Sequence, residues 1–132
     1  MTSSHIARLA AGLCLFAALG LSGCARTKPL YQWNGYQPSV YDYLRNQGKS
    51  PEEQILALEE GVQEAAADGA KLPPGYLAHL GLLYLNVGRT DQAVAAWQQE
   101  KAQFPESAKY IDFLMKNMKK KMLNQQNFLM VQ

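Results

Sequence analysis

Cysteine and histidine are scarce in this chain of 132 residues, which contains two of each. Cys14 lies inside an apolar N-terminal segment and Cys24 closes it, so no pair is left to form a disulfide in the rest of the chain. The only histidine after Cys24 is His79. A multi-histidine metal site and a Cys/His nucleophile pair are therefore excluded, and we interpret His79 as a surface or groove residue.

Other chemical signatures are also missing from the sequence. It has no glycine-rich phosphate loop, no nucleophile elbow and no clustered carboxylate loop. The 13 basic residues include Arg8, which leaves 12 against 11 acidic residues after the N-terminal segment, a balance that argues against a nucleic-acid binder. We predict a protein that is not an enzyme and has no metal, no cofactor, no nucleic-acid partner and no small-molecule substrate.

Long apolar runs are absent too, because the longest one, residues 9–21, has 13 residues. A membrane-spanning helix needs about 20, so the segment is typical of a signal peptide instead. It ends in Leu-Ser-Gly-Cys at residues 21–24, which resembles the lipobox of bacterial lipoproteins. The resemblance implies that residues 1–23 are cleaved off and that Cys24 carries a diacylglycerol and an N-acyl chain. An ordinary secretory peptide with a coincidental cysteine is the alternative.

The residue after the cysteine bears on the membrane to which the protein is sorted. It is Ala25, not the aspartate that retains many enteric lipoproteins in the inner membrane. Resemblance to this class therefore implies the outer membrane, on its periplasmic side. Several acyl chains give a durable anchor, whereas a single chain gives only marginal membrane residence.

Residues 24–39 are predicted to be an acylated N-terminus followed by an aromatic tether without regular structure. This stretch contains two prolines and the aromatic residues Tyr31, Trp33 and Tyr36. The rings either face a membrane or partner, or fold back over the hydrophobic edge of the helices. We favour the second interpretation.

Residues 40–123 are predicted to form a helical domain, followed by a flexible tail over residues 124–132. A short helix begins near Val40, and the series Ser50-Pro51-Glu52-Glu53 is typical of a capping box that opens the next helix. Thr90 and Ser107 are predicted to cap two later helices. The apolar spacing and the breakers place helices from residue 40 to near Gly48, at residues 51–67 and 76–87, between the Thr90 cap and Pro105, and after the Ser107 cap.

Residues 74–107 resemble one tetratricopeptide unit, whose pattern is W-x2-L-G-x2-Y, then A-x3-F, then P. The matching residues are Leu77, Leu80, Gly81, Tyr84, Ala93, Trp97 and Pro105. Glu100 stands where this family usually has a small residue, which predicts looser packing onto the following helix. The predicted fold is all-α, a small bundle of helix hairpins built around this single repeat, with the flanking helices as its neighbours.

The mature chain also resembles a family of small Gram-negative lipoproteins of uncharacterised function. The resemblance rests on a Tyr-x-Trp-x2-Tyr segment at residues 31–36, a Pro-Pro-Gly turn at 73–75 and a Phe-Pro-Glu-Ser junction at 104–107. Members are often encoded beside a lipoprotein similar to the curli secretion channel. This implies a part in an outer-membrane secretion or surface-assembly apparatus.

In tetratricopeptide units, the inner surface of the first helix commonly grips a peptide or a partner helix. The corresponding residues here are Gly75, Ala78, His79, Leu82, Leu85 and Asn86. We expect them to bind another envelope protein, so that the function is that of a lipid-anchored interaction or assembly module. A lipoprotein regulator of a cell-wall synthase is the alternative.

Overall fold

The computed structural model of the protein describes residues 29–130. Within them the chain forms five α-helices and a 3₁₀ turn, with one isolated bridge between Tyr31 and Lys71 and no strand. The all-α prediction is confirmed. The predicted signal peptide and the predicted lipidation site Cys24 lie outside the described residues. The elements are α1 (Tyr36–Arg45), α2 (Pro51–Ala67), α3 (Tyr76–Asn86), α4 (Thr90–Gln103), the 3₁₀ turn (Pro105–Ser107) and α5 (Ala108–Met130).

One of the three predicted helix caps is confirmed. The Ser50 hydroxyl accepts a hydrogen bond from the Glu53 N–H, and the Glu53 carboxylate accepts one from the Ser50 N–H, which is a complete capping box. The other two caps are wrong. The N-cap of α4 is Arg89, so Thr90 is already helical, and Ser107 belongs to the 3₁₀ turn.

Helices α3 and α4 form the predicted hairpin, with a tight turn at Gly88, whose φ is +77°. Gly81 of α3 faces the indole of Trp97 of α4 so closely that a Cβ atom at position 81 would overlap the ring. The Trp97 indole N–H donates to the Ala78 carbonyl at 3.0 Å. The small residue and the buried tryptophan therefore fix the distance between the two helices.

The hydrophobic core lies on both sides of this hairpin. On one side α2 contributes Leu58, which packs with Tyr76 and Leu83 of α3. On the other side α5 contributes Ile111 and Met118, which pack with Trp97 of α4. The flanking helices thus occupy the places that neighbouring repeats occupy in a solenoid.

Helices α1 and α5 differ from the sequence prediction in length. Helix α1 begins at Tyr36, within the predicted tether, and α5 continues to Met130, through the stretch predicted as a flexible tail. No glycine or proline follows Pro105, so nothing in the sequence stops a helix there. Among the described residues, no helix combines the length and hydropathy needed to cross a bilayer.

Candidate functional site

The six predicted groove residues do not form one open surface. Ala78 and His79 are buried, with 4% and 6% of their surface exposed, and Asn86 is exposed. Gly75, Leu82 and Leu85 are partly buried. The interpretation of His79 as a surface or groove residue is wrong, because α1 lies over the N-terminal half of α3 at this point.

Helix α1 covers His79 with two aromatic rings and a hydroxyl. The ring of Tyr43 meets the imidazole edge-to-face at 5.3 Å between centroids, and the ring of Tyr36 does so at 6.0 Å. Ser39 Oγ lies 2.9 Å from His79 Nε2 and 2.9 Å from Gln54 Oε1. These contacts join α1, α2 and α3 through one buried polar cluster.

The hydrogen-bond directions in this cluster follow from its outermost member. Gln54 Nε2 donates to the Lys49 carbonyl at 2.8 Å, so Gln54 Oε1 is the atom that faces Ser39 and it can only accept. The Ser39 hydroxyl proton is therefore directed at Gln54. Consequently His79 Nε2 carries a proton and donates it to Ser39 Oγ.

These directions bear on what the Ser39–His79 pair can do chemically. Burial lowers the pKa of His79 to about 4, so its imidazole is neutral near neutral pH. With Nε2 protonated, His79 cannot accept the Ser39 proton as a general base would. The cluster therefore holds three helices together in this structure, and the absence of enzymatic activity stays a prediction.

A buried carboxylate fixes the start of α3, close to the His79 cluster. Glu100 of α4 is fully buried, and its Oε1 accepts a hydrogen bond from the Gly75 N–H at 2.6 Å and one from Ser107 Oγ at 3.3 Å. It thus joins the Pro-Pro-Gly turn to the Phe-Pro-Glu-Ser junction. The sequence predicts shifted or looser packing onto the following helix at Glu100. The structure adds a role that the sequence did not predict, because the Glu100 carboxylate caps the start of α3.

The aromatic segment folds back over the bundle, as favoured from the sequence. Tyr36 stacks on Tyr76 at 5.4 Å between ring centroids, and Tyr31 meets Phe104 edge-to-face at 6.3 Å. The Tyr76 hydroxyl donates to the Leu58 carbonyl at 3.0 Å, and burial raises its pKa to about 12. Trp33 stacks on Tyr36 but is 46% exposed.

The accessible part of the predicted groove is the C-terminal half of α3. Leu82 and Leu85 are partly buried and pack against the same cluster as Leu114 and Met115 of α5. Asn86 borders a pocket of about 530 Å³ that is also lined by α1, by the loop between α1 and α2, and by the start of α2. We call Leu82, Leu85 and Asn86 the α3 surface.

Sequence reasoning missed Ser39, Gln54 and the capping role of Glu100. Gln54 leaves a signal, because it lies four residues before Leu58 on the otherwise apolar buried stripe of α2. A polar residue on such a stripe needs a buried partner. Among the described residues, no three His, Cys, Asp or Glu side chains lie close enough together to hold a metal ion.

The fold and site define a small all-helical domain built on one helix hairpin and closed by flanking helices. The sequence matches the family described as Domain of unknown function (DUF4810) over residues 30–114, well over half of the chain. The chain belongs to this family. The match begins in the aromatic segment and ends in the first two turns of α5. No curated protein and no solved structure matches the chain.

Proposed function

We propose that the protein is a bacterial lipoprotein that works as an interaction or assembly module on the periplasmic side of the outer membrane. The anchor is the acylated Cys24, and the binding region is the α3 surface. The partner is another envelope protein, in the first place a secretion-channel-like lipoprotein. A lipid anchor favours such an encounter because it confines both proteins to one membrane.

The observation that carries the binding part of this proposal is the incomplete burial of Leu82 and Leu85. These two large apolar side chains lie on α3 and are only partly buried where they pack against the cluster of Trp97, Ile111 and Met118. Asn86 adds a polar group at their edge. Apolar side chains at the centre with polar groups at the rim are the usual composition of a protein interface.

Attachment of lipid is tested by feeding cells labelled palmitate and measuring the mass of the mature N-terminal peptide. We expect label in the protein, an N-terminus at Cys24 and a mass increase equal to the acyl groups. The variant Cys24→Ala is the control and should take up no label. A bare thiol at residue 24 would remove the membrane anchor and the predicted location.

The α3 surface is tested by crosslinking the protein in intact cells and identifying the captured partner by mass spectrometry. Asn86→Arg and the double substitution Leu82→Asp with Leu85→Asp should each reduce capture at least tenfold, because they place charge on the surface. Leu56→Asp on α2 is the matched control, since Leu56 is 68% exposed and lies outside the α3 surface. Circular dichroism checks that each variant is folded.

The identity of the captured protein decides between the two functions. A secretion-channel-like lipoprotein supports the assembly role, and a cell-wall synthase supports the regulatory alternative. Undiminished capture by Asn86→Arg and by the folded double variant would exclude the α3 surface as the docking site.

A further inference from the structure

Helix α5 carries a face that the bundle does not use. Its inward side contributes Ile111 and Met118 to the core, and these are its buried residues. On the opposite side, exposed residues follow one another at steps of three and four, which places them in one line along the helix. This outward face consists of Lys109, Phe113, Lys116, Lys120 and Leu123.

The outward face combines positive charge with large apolar side chains. Phe113 and Leu123 are each 58% exposed, and with Lys116 and Lys120 they line one shallow groove of about 560 Å³. Lys119 lines the same groove. Lys121 directly follows Lys120 in the sequence. The groove on this helix therefore has both a basic and an apolar part.

The charge on this part of the chain has one sign. Residues 113–132 contain four lysines and no aspartate or glutamate. The nearest acid, Asp112, already pairs with Lys101 of α4 at 2.7 Å. Lys116 and Lys120 of the outward face therefore lie on a stretch of the helix that has no acid after Asp112, and they favour an anionic partner.

We propose that the outward face of α5 binds the surface of a bilayer that contains anionic phospholipid. Lysines on a helix attract the phosphate groups of the lipid, while phenylalanine and leucine between them enter the boundary between headgroups and acyl chains. A nucleic-acid backbone would satisfy the lysines but would leave Phe113 and Leu123 without a role. The surface thus matches lipid in both its charged and its apolar parts.

The position of the tether agrees with this orientation. Tyr31 contacts Phe104, which lies four residues before the start of α5, so the N-terminal segment passes close to the beginning of this helix. Cys24 precedes Tyr31 by seven residues, a length that spans at most about 25 Å. This length allows α5 to lie flat on the membrane in which Cys24 is anchored. The orientation inferred from the length of the tether rests on the proposed acylation of Cys24. The charge and exposure of the outward face do not depend on it.

The test uses the mature protein reconstituted in vesicles, with a fluorophore at Leu123→Cys and a quencher on the lipid acyl chains. The matched control carries the fluorophore at Leu56→Cys, on the acidic helix α2, where the leucine is 68% exposed. In vesicles with phosphatidylglycerol we expect quenching at position 123 to exceed quenching at position 56 several-fold. In vesicles of phosphatidylcholine alone the difference should disappear.

Replacement of Lys116, Lys119 and Lys120 with glutamine should weaken binding of the face about fivefold for each lysine removed. Glutamine keeps the helix propensity, so the fold is retained. Equal quenching at positions 123 and 56 with phosphatidylglycerol present, or no effect of the lysine substitutions, would overturn the proposal. Protection of position 123 by an added envelope protein but not by lipid would also overturn it.

The result is distinguishable from failure of the proposed function. The mass of the N-terminal peptide, measured on the same sample, shows whether Cys24 is acylated. If it is not, the proposed anchor fails. Co-sedimentation of that unacylated protein with phosphatidylglycerol vesicles, and its loss in the lysine variant, still decides whether α5 binds lipid.

Discussion

Burial of His79 makes the stability of the protein depend on pH in a calculable way. The imidazole is 6% exposed, and its pKa falls from 6.5 to about 4 because burial disfavours the charged form. A histidine whose folded pKa is lower than its unfolded pKa binds fewer protons in the folded state. Its stabilising contribution is therefore intact above about pH 6.5 and is lost as the pH falls from there toward 4.

The size of the effect follows from the shift. The pKa of His79 differs by about 2.5 between the unfolded and the folded state, which corresponds to about 3 kcal/mol of unfolding free energy once the histidine is protonated in both states. About 2.5 kcal/mol of this is lost by about pH 4.5. The aromatic rings of Tyr36 and Tyr43 and the hydroxyl of Ser39 surround the imidazole, and they supply no negative charge that could stabilise the imidazolium.

The assay compares urea unfolding of the protein and of His79→Gln at about pH 7 and about pH 4.5, followed by circular dichroism. The two proteins contain the same carboxylates, which contribute equally to the pH dependence of both. Glutamine does not titrate, so the difference between the two proteins reports on His79. The original protein should lose about 2 to 3 kcal/mol more than the variant over this interval. Equal losses would refute the reasoning, whatever the stabilities at neutral pH.

Two predictions concern the packing and capping of the helices. Gly81→Ala should lower the free energy of unfolding by about 1 to 3 kcal/mol, because the new Cβ overlaps the indole of Trp97. In a Trp97→Phe background the loss should be smaller. An unchanged or raised stability of Gly81→Ala would contradict the close approach of Gly81 and Trp97. Ser50→Ala should cost about 1 kcal/mol through loss of the capping bond to Glu53, whereas Thr90→Ala should change stability by less than about 0.5 kcal/mol. Urea titration measures all of these, and equal effects of the two Ala substitutions would contradict the assignment of the caps.

The sequence allowed the central helices to be predicted because their signals are local. Ser50, Pro51 and Glu53 specify the start of α2 within four residues, and Gly88 specifies the turn between α3 and α4. The spacing of Leu77, Leu80 and Tyr84 predicts which side of α3 is buried, and all three are in the core. Information of this kind needs no knowledge of distant residues.

The parts that were missed depend on distant contacts. Ser39 and His79 are 40 residues apart, and Gly75 and Glu100 are 25 apart, so no spacing rule connects them. A lone histidine or an out-of-pattern glutamate looks exposed when only its neighbours in sequence are considered. Only the arrangement of the helices shows that each has a buried hydrogen-bond partner.

The way in which one helix hairpin is made into a stable domain also determines which surfaces are left for binding. One hairpin cannot bury both of its sides, and here α2 covers one side and α5 covers the other. Helix α1 then lies on the inner side of the hairpin, where longer repeat proteins keep an open groove, and its Ser39 and Tyr43 contact His79. Because the inner side is used for stability, the partly accessible apolar side chains of α3 lie on its C-terminal half, and α5 adds a row of exposed ones. These are the two surfaces at which we propose that an envelope protein and a membrane bind.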